Sequence, residues 1–304
     1  MNEITPSMVV KALHTTTGVQ SWVHLRGEMN DLWLSEKSRY ILRIAPDDEF
    51  SLVRPEVTVY AARLLDSFDV PAVRLVEDID QPIRVGGRYA TLWHWLEDEG
   101  PVMAGQLGGT LRILHALPTS GTSLPTRDLR PVIRSRLDAL TTEEPWRNYY
   151  WMLLDDRLRD AGPVFDNLES IVVHGDMRAS NVIGNGGRAV LLDLDSVSEA
   201  PRLFDVWRLI LDHRNGRLDA ALYSDFCVSL GDDPDSGGGL NPLFKFCKLV
   251  SLHCSRCGGS DMVITDGIRC ARVMSTGGRR RRPCPSYQGG SNRGSDQLVA
   301  QWWI

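Results

Sequence analysis

The sequence of 304 residues contains no run of eighteen apolar residues, which excludes a transmembrane helix. Its first twenty-five residues lack a continuous apolar core followed by a cleavage site, so we expect no secretory signal peptide and a cytoplasmic location. Lysine is nearly missing, because only four of the 34 basic residues are Lys. A site that needs a cation must therefore use arginine in almost every case. The four lysines are Lys11, Lys37, Lys245 and Lys248.

Composition is otherwise that of a folded protein. The chain is 42% hydrophobic and 24% charged with a net charge of −5, which argues against wholesale disorder. Its length allows about two domains or lobes around a packed core. The charge is uneven, however, since residues 253–304 have eight Arg, three Asp and a net charge of +5, and residues 1–252 carry −10.

The tail, residues 253–304, needs separate treatment from the body. The CxxC at Cys254 and Cys257 has no second close pair, which a zinc ribbon requires. The run Arg279–Arg282 is a short basic segment without a supporting nucleic-acid motif, so we expect no nucleic-acid partner. Because the composition changes abruptly near residues 245–252, the interpretation we favour is a shifted reading frame. We predict an irregular Cys/Arg/Gly-rich tail there, frame-shifted or disordered.

The first part of the body reads as short strands followed by a helix. Residues 22–45 alternate polar and apolar positions as three strands do, and in the third strand Arg43 falls among apolar neighbours. A helix is predicted over residues 54–68, with Glu56 in its first turn, where an isolated Glu is typical of a capping or helix-dipole role. Further strands are predicted at 72–76, 83–85 and 89–93, before an acidic linker. The apolar face of the predicted helix is Val57, Tyr60, Ala61, Leu64 and Phe68.

The second part of the body has helical periodicity and one polar hairpin. The stripe from Met103 to Leu117 and a segment at 146–159 are predicted to be core helices. Residues 171–195 then place two short apolar strands around a polar loop and a glycine-rich turn, the pattern of a hairpin. Carboxylates collected at strand ends are costly to desolvate without a cation, and oxygen ligands suit Mg²⁺. The polar residues concerned are Asp176, Asn181, Asp193 and Asp195.

This hairpin carries a family resemblance. His174-Gly175-Asp176, then Asn181, then Leu192-Asp193 resembles the catalytic loop and metal motif of the aminoglycoside phosphotransferase and choline kinase superfamily, relatives of the protein kinases. The resemblance covers residues 19–211 in matching order. It implies an α+β, protein-kinase-like two-lobe fold: a small antiparallel-sheet nucleotide-binding lobe at 1–96 and a mainly helical catalytic and acceptor-binding lobe at 97–252.

The same resemblance implies roles for the hairpin residues. Asp176 is similar to the catalytic Asp that orients the acceptor hydroxyl and takes its proton, and Asn181 and Asp193 resemble the Mg²⁺ ligands. Arg178 resembles a cation that neutralises the moving phosphoryl group, with a solvated loop arginine as the alternative. Asp195 is expected to assist the metal or to hold the loop.

Upstream residues match the nucleotide-binding part of the family. Arg43 stands where the strand usually presents a lysine that clamps the nucleotide, ATP or GTP, and Glu56 stands where the pairing Glu sits on the next helix. Arginine for lysine changes the geometry from a point charge to a planar fork. Gly27–Asn30 occupies the place of the phosphate-covering loop, and backbone groups of Trp93 to Trp95 would hold the adenine.

Two more residues are expected to support the catalytic loop. His174 is predicted to orient the loop by hydrogen bonds rather than to act as a general base, since Asp176 is better placed for that role. Phe204-Asp205-Val206 resembles the segment whose Asp braces the catalytic loop.

Three functions are compatible with these features. The first is an ATP-dependent kinase of a small-molecule hydroxyl, with an aminoglycoside or other amine-bearing antibiotic as acceptor. The body's charge of −10, with Glu97-Asp98-Glu99 by the linker and Asp212 and Asp219 after the hairpin, suits such a cation. A generally acidic surface is the alternative explanation of that charge. The second is a metabolic kinase for choline, a sugar or an amino-acid alcohol. The third, a pseudokinase-like binding protein, is disfavoured by the intact Asp176, Asn181 and Asp193. We expect no membrane partner and a monomer or dimer.

Overall fold

The computed structural model describes residues 22–26, 30–45, 55–85, 87–127 and 168–236, with scattered positions between 152 and 166. The predicted helix at 146–159 lies largely outside the described residues, and Gly27 and the tail at 253–304 lie outside them entirely. Within the described part of the chain, no helix is long and apolar enough to cross a bilayer.

A five-stranded antiparallel sheet forms the first part of the body, in the order β1-β2-β3-β5-β4. The strands are β1 Val23–Arg26, β2 Asp31–Ser35, β3 Tyr40–Ile44, β4 Ile83–Val85 and β5 Arg88–His94. The alternation predicted in β3 is present, since Leu42 and Ile44 are 1% and 0% exposed. Arg43 lies on the opposite face with its side chain 11% exposed. The small antiparallel sheet predicted for this part of the chain is confirmed.

Helix α1 (Pro55–Ser67) follows the third strand, close to the predicted bounds. Its buried face is Thr58, Val59, Ala61, Ala62 and Leu65. The predicted apolar face is confirmed at Ala61 (0% exposed) and in part at Tyr60 and Leu64, which pack half-buried against the core, but it is wrong at Phe68, which is 45% exposed. The buried face also includes Thr58, which counts as polar in the sequence, because its hydroxyl has an acceptor within the protein.

The strand predicted at 72–76 is not a strand of the sheet. Ala72 and Leu75 make only isolated bridges, to Leu191 and Trp93 respectively. The segment is extended but changes partner along its length: Val73 N donates to Leu191 O (2.9 Å) and Val76 N to Leu92 O (3.0 Å). It therefore connects the sheet to the hairpin, and neither partner continues long enough to make a ladder.

The second part of the body combines helices with two small antiparallel pairs. Strand β6 (Ser170–Val173) pairs with β9 (Ser198–Pro201), and β7 (Val182–Asn185) pairs with β8 (Arg188–Leu191) in the predicted hairpin. Short 3₁₀ turns at Ala179–Asn181 and Leu194–Ser196 precede β7 and β9. The described helices are α2 (Ala104–His115), α3 (Leu203–Arg214) and α4 (Ala220–Leu230).

Helix α2 is the centre of the core in this part of the body. Its predicted stripe is buried, with Leu107 at 5% and Leu111 and Leu114 at 0% exposure. A Cβ on Gly108 would lie 2.4 Å from Phe226 O, so only glycine lets α4 approach so closely. Thr110 Oγ1 donates to Ala189 O (2.7 Å) on the other side of α2. The helix therefore fixes the hairpin against the helical core.

Candidate active site

The loop after β6 is held in place by the buried carboxylate of Asp205. Asp205, in the first turn of α3, accepts hydrogen bonds from His174 N (2.9 Å), Gly175 N (2.8 Å) and His115 Nε2 (3.0 Å). Its side chain is 0% exposed. Burial alone would raise the pKa of Asp205, but the hydrogen bond and charge of His115 and the Gly175 N–H outweigh it and lower the pKa. The predicted brace is present.

His174 ties the same loop to the segment after β8. The ring is 0% exposed, and Nε2 lies 2.7 Å from Leu192 O. A carbonyl can only accept, so the proton is on Nε2 and Nδ1 is left to accept from Asp176 N at 3.4 Å. Leu192 N in turn donates to Asn181 O (2.8 Å). His174 therefore has the orienting contacts predicted for it.

Close backbone packing joins the two loops a second time. Gly175 has φ of +80°, and a Cβ there would lie 2.4 Å from Ser196 O. Arg127 Nη1 donates to both Gly175 O and Ser196 O at 3.2 Å. No motif in the sequence indicated Arg127. The loop that carries Asp176 and the turn that follows Asp193 are consequently fixed to each other.

Asp176 is oriented by its own loop. Arg178 donates to Asp176 Oδ1 through Nη2 (2.6 Å) and Nε (3.1 Å), and Asn181 Nδ2 donates to Asp176 Oδ2 (3.2 Å) and O (2.9 Å). The Asp176 side chain is 30% exposed, so the carboxylate is reachable while its direction is fixed. Oδ1 already accepts two hydrogen bonds from Arg178, whereas Oδ2 accepts one and has a second lone pair, which can accept a hydroxyl proton.

Oxygen donors suitable for Mg²⁺ lie in the same two loops. Asp193 has φ of +53° and a side chain 42% exposed. Asn181 is 7% exposed, and because its Nδ2 faces Asp176, its Oδ1 is the end available to a cation. Among the described residues, no three His, Cys, Asp or Glu side chains could hold a metal together. One carboxylate and one amide oxygen nevertheless fit Mg²⁺, which keeps several water or phosphate ligands.

Arg43 meets Asp195 rather than Glu56. Nη1 donates to Asp195 Oδ1 (2.7 Å) and Nη2 to Asp195 Oδ2. Thr58 Oγ1 also donates to Asp195 Oδ1 (2.8 Å). Asn30, with its amide turned so that Oδ1 and not Nδ2 faces the guanidinium, accepts from Arg43 Nη2 (2.7 Å). Glu56 is exposed and shares no hydrogen bond or ion pair with Arg43 in the described structure. The predicted Glu56 partner is corrected to Asp195, two positions after Asp193.

In the segment predicted to hold adenine, residues 93–95, several donor groups already make hydrogen bonds within the protein. Trp93 is a core residue, 6% exposed, with its indole N–H on Thr91 Oγ1 (2.8 Å). The N–H of His94 donates to Arg74 O (2.9 Å) and that of Trp95 to Arg39 O (2.8 Å). The backbone N–H groups of His94 and Trp95 are therefore poor candidates for binding a base. The Arg39 guanidinium covers the Trp95 ring at 4.4 Å.

The acidic residues predicted to attract a cationic acceptor all have partners inside the protein. Those near the linker bind an arginine, a backbone N–H or the hairpin turn, and those after the hairpin bind an arginine or cap α4. An arginine compensates the charge of two of them, Glu97 and Asp212, whereas the other three accept neutral backbone N–H groups and keep their negative charge. The contacts are Glu97–Arg39 (3.5 Å), Asp98–Gly100 N (3.1 Å), Glu99–Gly186 N (2.8 Å), Asp212–Arg217 (2.8 Å) and Asp219–Ala221 N (2.8 Å).

Comparisons with known proteins agree with this geometry. A family model described as the phosphotransferase enzyme family matches residues 26–240. No curated protein matches the sequence.

Solved structures are similar in fold. Aminoglycoside phosphotransferase APH(3'')-Id from Streptomyces rimosus has a TM-score of 0.58 at 16% identity, covering 80% of this chain and 96% of that one. Choline kinase LicA from Streptococcus pneumoniae has a TM-score of 0.59 at 16% identity, covering 81% and 88%. The GDP and kanamycin complex of APH(2'')-IIIa has a TM-score of 0.58 at 14% identity, covering 83% and 92%. Identities this low show the shared fold, protein-kinase-like and α+β, and not a shared substrate.

Proposed function

The chain belongs to the phosphotransferase enzyme family, since the family model matches residues 26–240 of its 304, and we propose that it transfers the γ-phosphoryl group of ATP or GTP to a hydroxyl of a small molecule. The observation that carries the proposal is the fixed Asp176 carboxylate. It is oriented by Arg178 and Asn181 in a loop tied to the segment that carries Asp193.

In this proposal Asp176 orients the acceptor hydroxyl and takes its proton as the phosphoryl group is transferred. Arg178 holds the carboxylate in place before the acceptor arrives and lies close enough to share charge with the phosphoryl group. Phosphoryl transfer needs mostly positioning and charge neutralisation from a protein, and a braced loop provides positioning.

Asn181 and Asp193 are the residues we propose for Mg²⁺. The ion would supply charge neutralisation on the nucleotide phosphates. Nucleotide binding is supported by the related folds solved with GDP and with AMP. For the base, the backbone N–H groups of Leu96 and Glu97 are better candidates than those of His94 and Trp95, because neither of them donates a hydrogen bond within the described part of the chain.

Two classes of acceptor are compatible with the fold. Structural similarity to an aminoglycoside phosphotransferase and to a choline kinase is equal within 0.01 in TM-score. We retain an amine-bearing antibiotic as the first candidate and choline, a sugar or an amino-acid alcohol as the second. Because choline is itself a cation, an acidic surface does not choose between it and an amine-bearing antibiotic.

The direct test measures phosphoryl transfer and does not assume in advance which acceptor is phosphorylated. Purified protein is incubated with Mg-ATP or Mg-GTP and a panel of aminoglycosides, other antibiotics, choline and sugars. The nucleoside diphosphate that forms only when an acceptor is present is quantified, and the phosphorylated acceptor is identified by ³¹P NMR. We expect turnover with at least one acceptor. Asp176→Asn should lower kcat by about 10²-fold or more without changing the melting temperature by more than a few degrees.

A matched control separates catalysis from surface charge. Asp69→Asn makes the same chemical change at a side chain that is 95% exposed, and its φ of +53° suits asparagine as well as aspartate. Asp69→Asn should keep full turnover. Equal turnover in Asp176→Asn and wild type contradicts the role of Asp176, and no turnover with any acceptor contradicts the proposed function.

A further inference from the structure

The strand that offers a cation and the loop that offers a metal ligand are joined by one buried ion pair. Arg43, in β3, and Asp195, in the 3₁₀ turn after β8, are 152 positions apart in the sequence. Their side chains are 11% and 12% exposed. Both oxygens of Asp195 face the two terminal nitrogens of Arg43, the end-on arrangement that a guanidinium fork and a carboxylate share.

The surroundings show that this pair is a built arrangement. Thr58 is 2% exposed and donates to Asp195 Oδ1, which fixes the carboxylate from the side of α1. Asn30 accepts from Arg43 Nη2 and Nε (2.7 and 3.2 Å), which fixes the guanidinium from the side of β2. Two segments of the first part of the body, β3 and α1, therefore contact Asp195 in the turn after β8, and a third segment holds Arg43.

Asp193 and Asp195 differ clearly in their situation. Asp193 is 42% exposed and its Oδ1 lies 3.5 Å from Arg43 Nη2, beyond ordinary hydrogen-bond length. Asp195 has both oxygens occupied by Arg43 and one shared with Thr58. A carboxylate in that state has little left to offer a metal ion, whereas Asp193 remains open.

We propose that Asp195, supported by Thr58, is the positioning residue for Arg43, and that it sets the distance between the nucleotide-binding sheet and the loop that carries Asp193. Asp195 acts through Arg43 and is not itself a metal ligand. The part of this proposal that concerns nucleotide binding rests on the proposed function. The part that concerns the ion pair does not.

The pair is tested first in the nucleotide-free protein. Melting temperatures are measured for Arg43→Met, Asp195→Asn and the double variant, and the same cycle is made with Glu56→Gln in place of Asp195→Asn. We expect each change at the pair to lower the melting temperature by about 5 °C or more, with the double variant little worse than the worse single variant. The cycle with Glu56→Gln should be additive. Additive effects of Arg43→Met and Asp195→Asn overturn the pairing.

Kinetics then separate positioning from metal binding. Asp195→Asn should raise KM for ATP about 10-fold or more and leave KM for the acceptor within about twofold, and excess Mg²⁺ should not relieve the defect. Thr58→Val, which removes only the hydroxyl, should change KM for ATP in the same direction by less. Asp193→Asn should instead shift the Mg²⁺ requirement. Recovery of Asp195→Asn at high Mg²⁺ would show that Asp195 is a metal ligand and overturn the proposal.

Two provisions keep the proposal testable. If Asp195→Asn fails to fold, the melting temperature and the KM for ATP are measured with Thr58→Val in its place. If the wild type transfers no phosphate, affinity for Mg-ATP is measured by calorimetry on wild type, Thr58→Val and Asp66→Asn, whose half-exposed pair with Arg74 (2.8 Å) is the control. Weaker binding by Thr58→Val alone supports Asp195 as the positioning residue, and equal binding by all three overturns it.

Discussion

Asp205 provides the sharpest test of how the catalytic loop is supported. Its carboxylate accepts three hydrogen bonds, from His174 N, Gly175 N and His115 Nε2, with no exposure to solvent. In Asp205→Asn one oxygen becomes an NH₂ group, which cannot accept and faces donors. At least one charge-assisted bond is lost, and a buried N–H is left without its acceptor.

The expected loss follows from these contacts. A hydrogen bond to a charged group is worth about 1.5 to 3 kcal/mol, and opening a buried charge network costs about 3 to 5 kcal/mol. For a domain of this size, that corresponds to a fall in melting temperature of about 6 to 20 °C. Asp212→Asn is the control on the same helix, because Asp212 pairs with Arg217 near the surface and should cost less than about 1 kcal/mol.

The pH dependence has a definite sign. The pKa of Asp205 is lower in the folded protein than in the unfolded chain, so its contribution is fully present above the unfolded pKa and is lost as the pH falls toward the folded pKa. Circular dichroism melts of wild type and Asp205→Asn should therefore differ most at neutral pH and converge below about pH 4. A melting temperature of Asp205→Asn within about 1 °C of Asp212→Asn at pH 7 refutes the reasoning.

Two further predictions concern glycine and a helix cap. Gly175→Ala adds a Cβ 2.4 Å from Ser196 O at φ of +80° and should cost about 2 to 3 kcal/mol in urea unfolding, whereas Gly109→Ala, with no atom within 4 Å, should be neutral or stabilising. Asp225→Ala removes the acceptor of Gly105 N (2.9 Å) at the start of α2 and should lower the free energy of unfolding by about 1 kcal/mol. Asp225→Asn keeps an acceptor oxygen and should keep most of that stability. A neutral Gly175→Ala, or equal losses in the two Asp225 variants, contradicts these assignments.

The sequence predicted best the contacts that are local in the chain. Asp176 and Asn181 are five positions apart in one loop, so a motif of fixed spacing already brings them together. The stripe of α2 and the alternation of β3 were also predictable, because each element repeats its pattern with the period of its own geometry. For such features, local spacing is a sufficient guide.

The sequence did not predict which distant segments contact each other. The family pattern placed Glu56 beside Arg43, but the carboxylate that meets Arg43 comes from Asp195, and no spacing rule relates positions so far apart. Thr58 was missed because a lone polar residue on an apolar helix is normally assigned to the solvent face. A signal existed in retrospect: Thr58 lies four positions before Ala62, and small residues on one helix face indicate a close approach of another segment.

The replacement of lysine by arginine in β3 gives these contacts a common cause. A lysine ammonium can meet a carboxylate from many directions, whereas a planar guanidinium needs both oxygens presented end-on. Glu56 is exposed on the first turn of α1 and offers no such presentation, but the turn Leu194–Ser196 holds Asp195 facing β3, with Thr58 fixing its rotation. One short segment thus carries a solvent-exposed carboxylate at Asp193 and a largely buried, arginine-bound carboxylate at Asp195. An Arg43→Lys change should accordingly leave the pair poorly formed rather than restore the usual geometry, because one ammonium nitrogen cannot make the two parallel hydrogen bonds that the guanidinium makes to the Asp195 carboxylate.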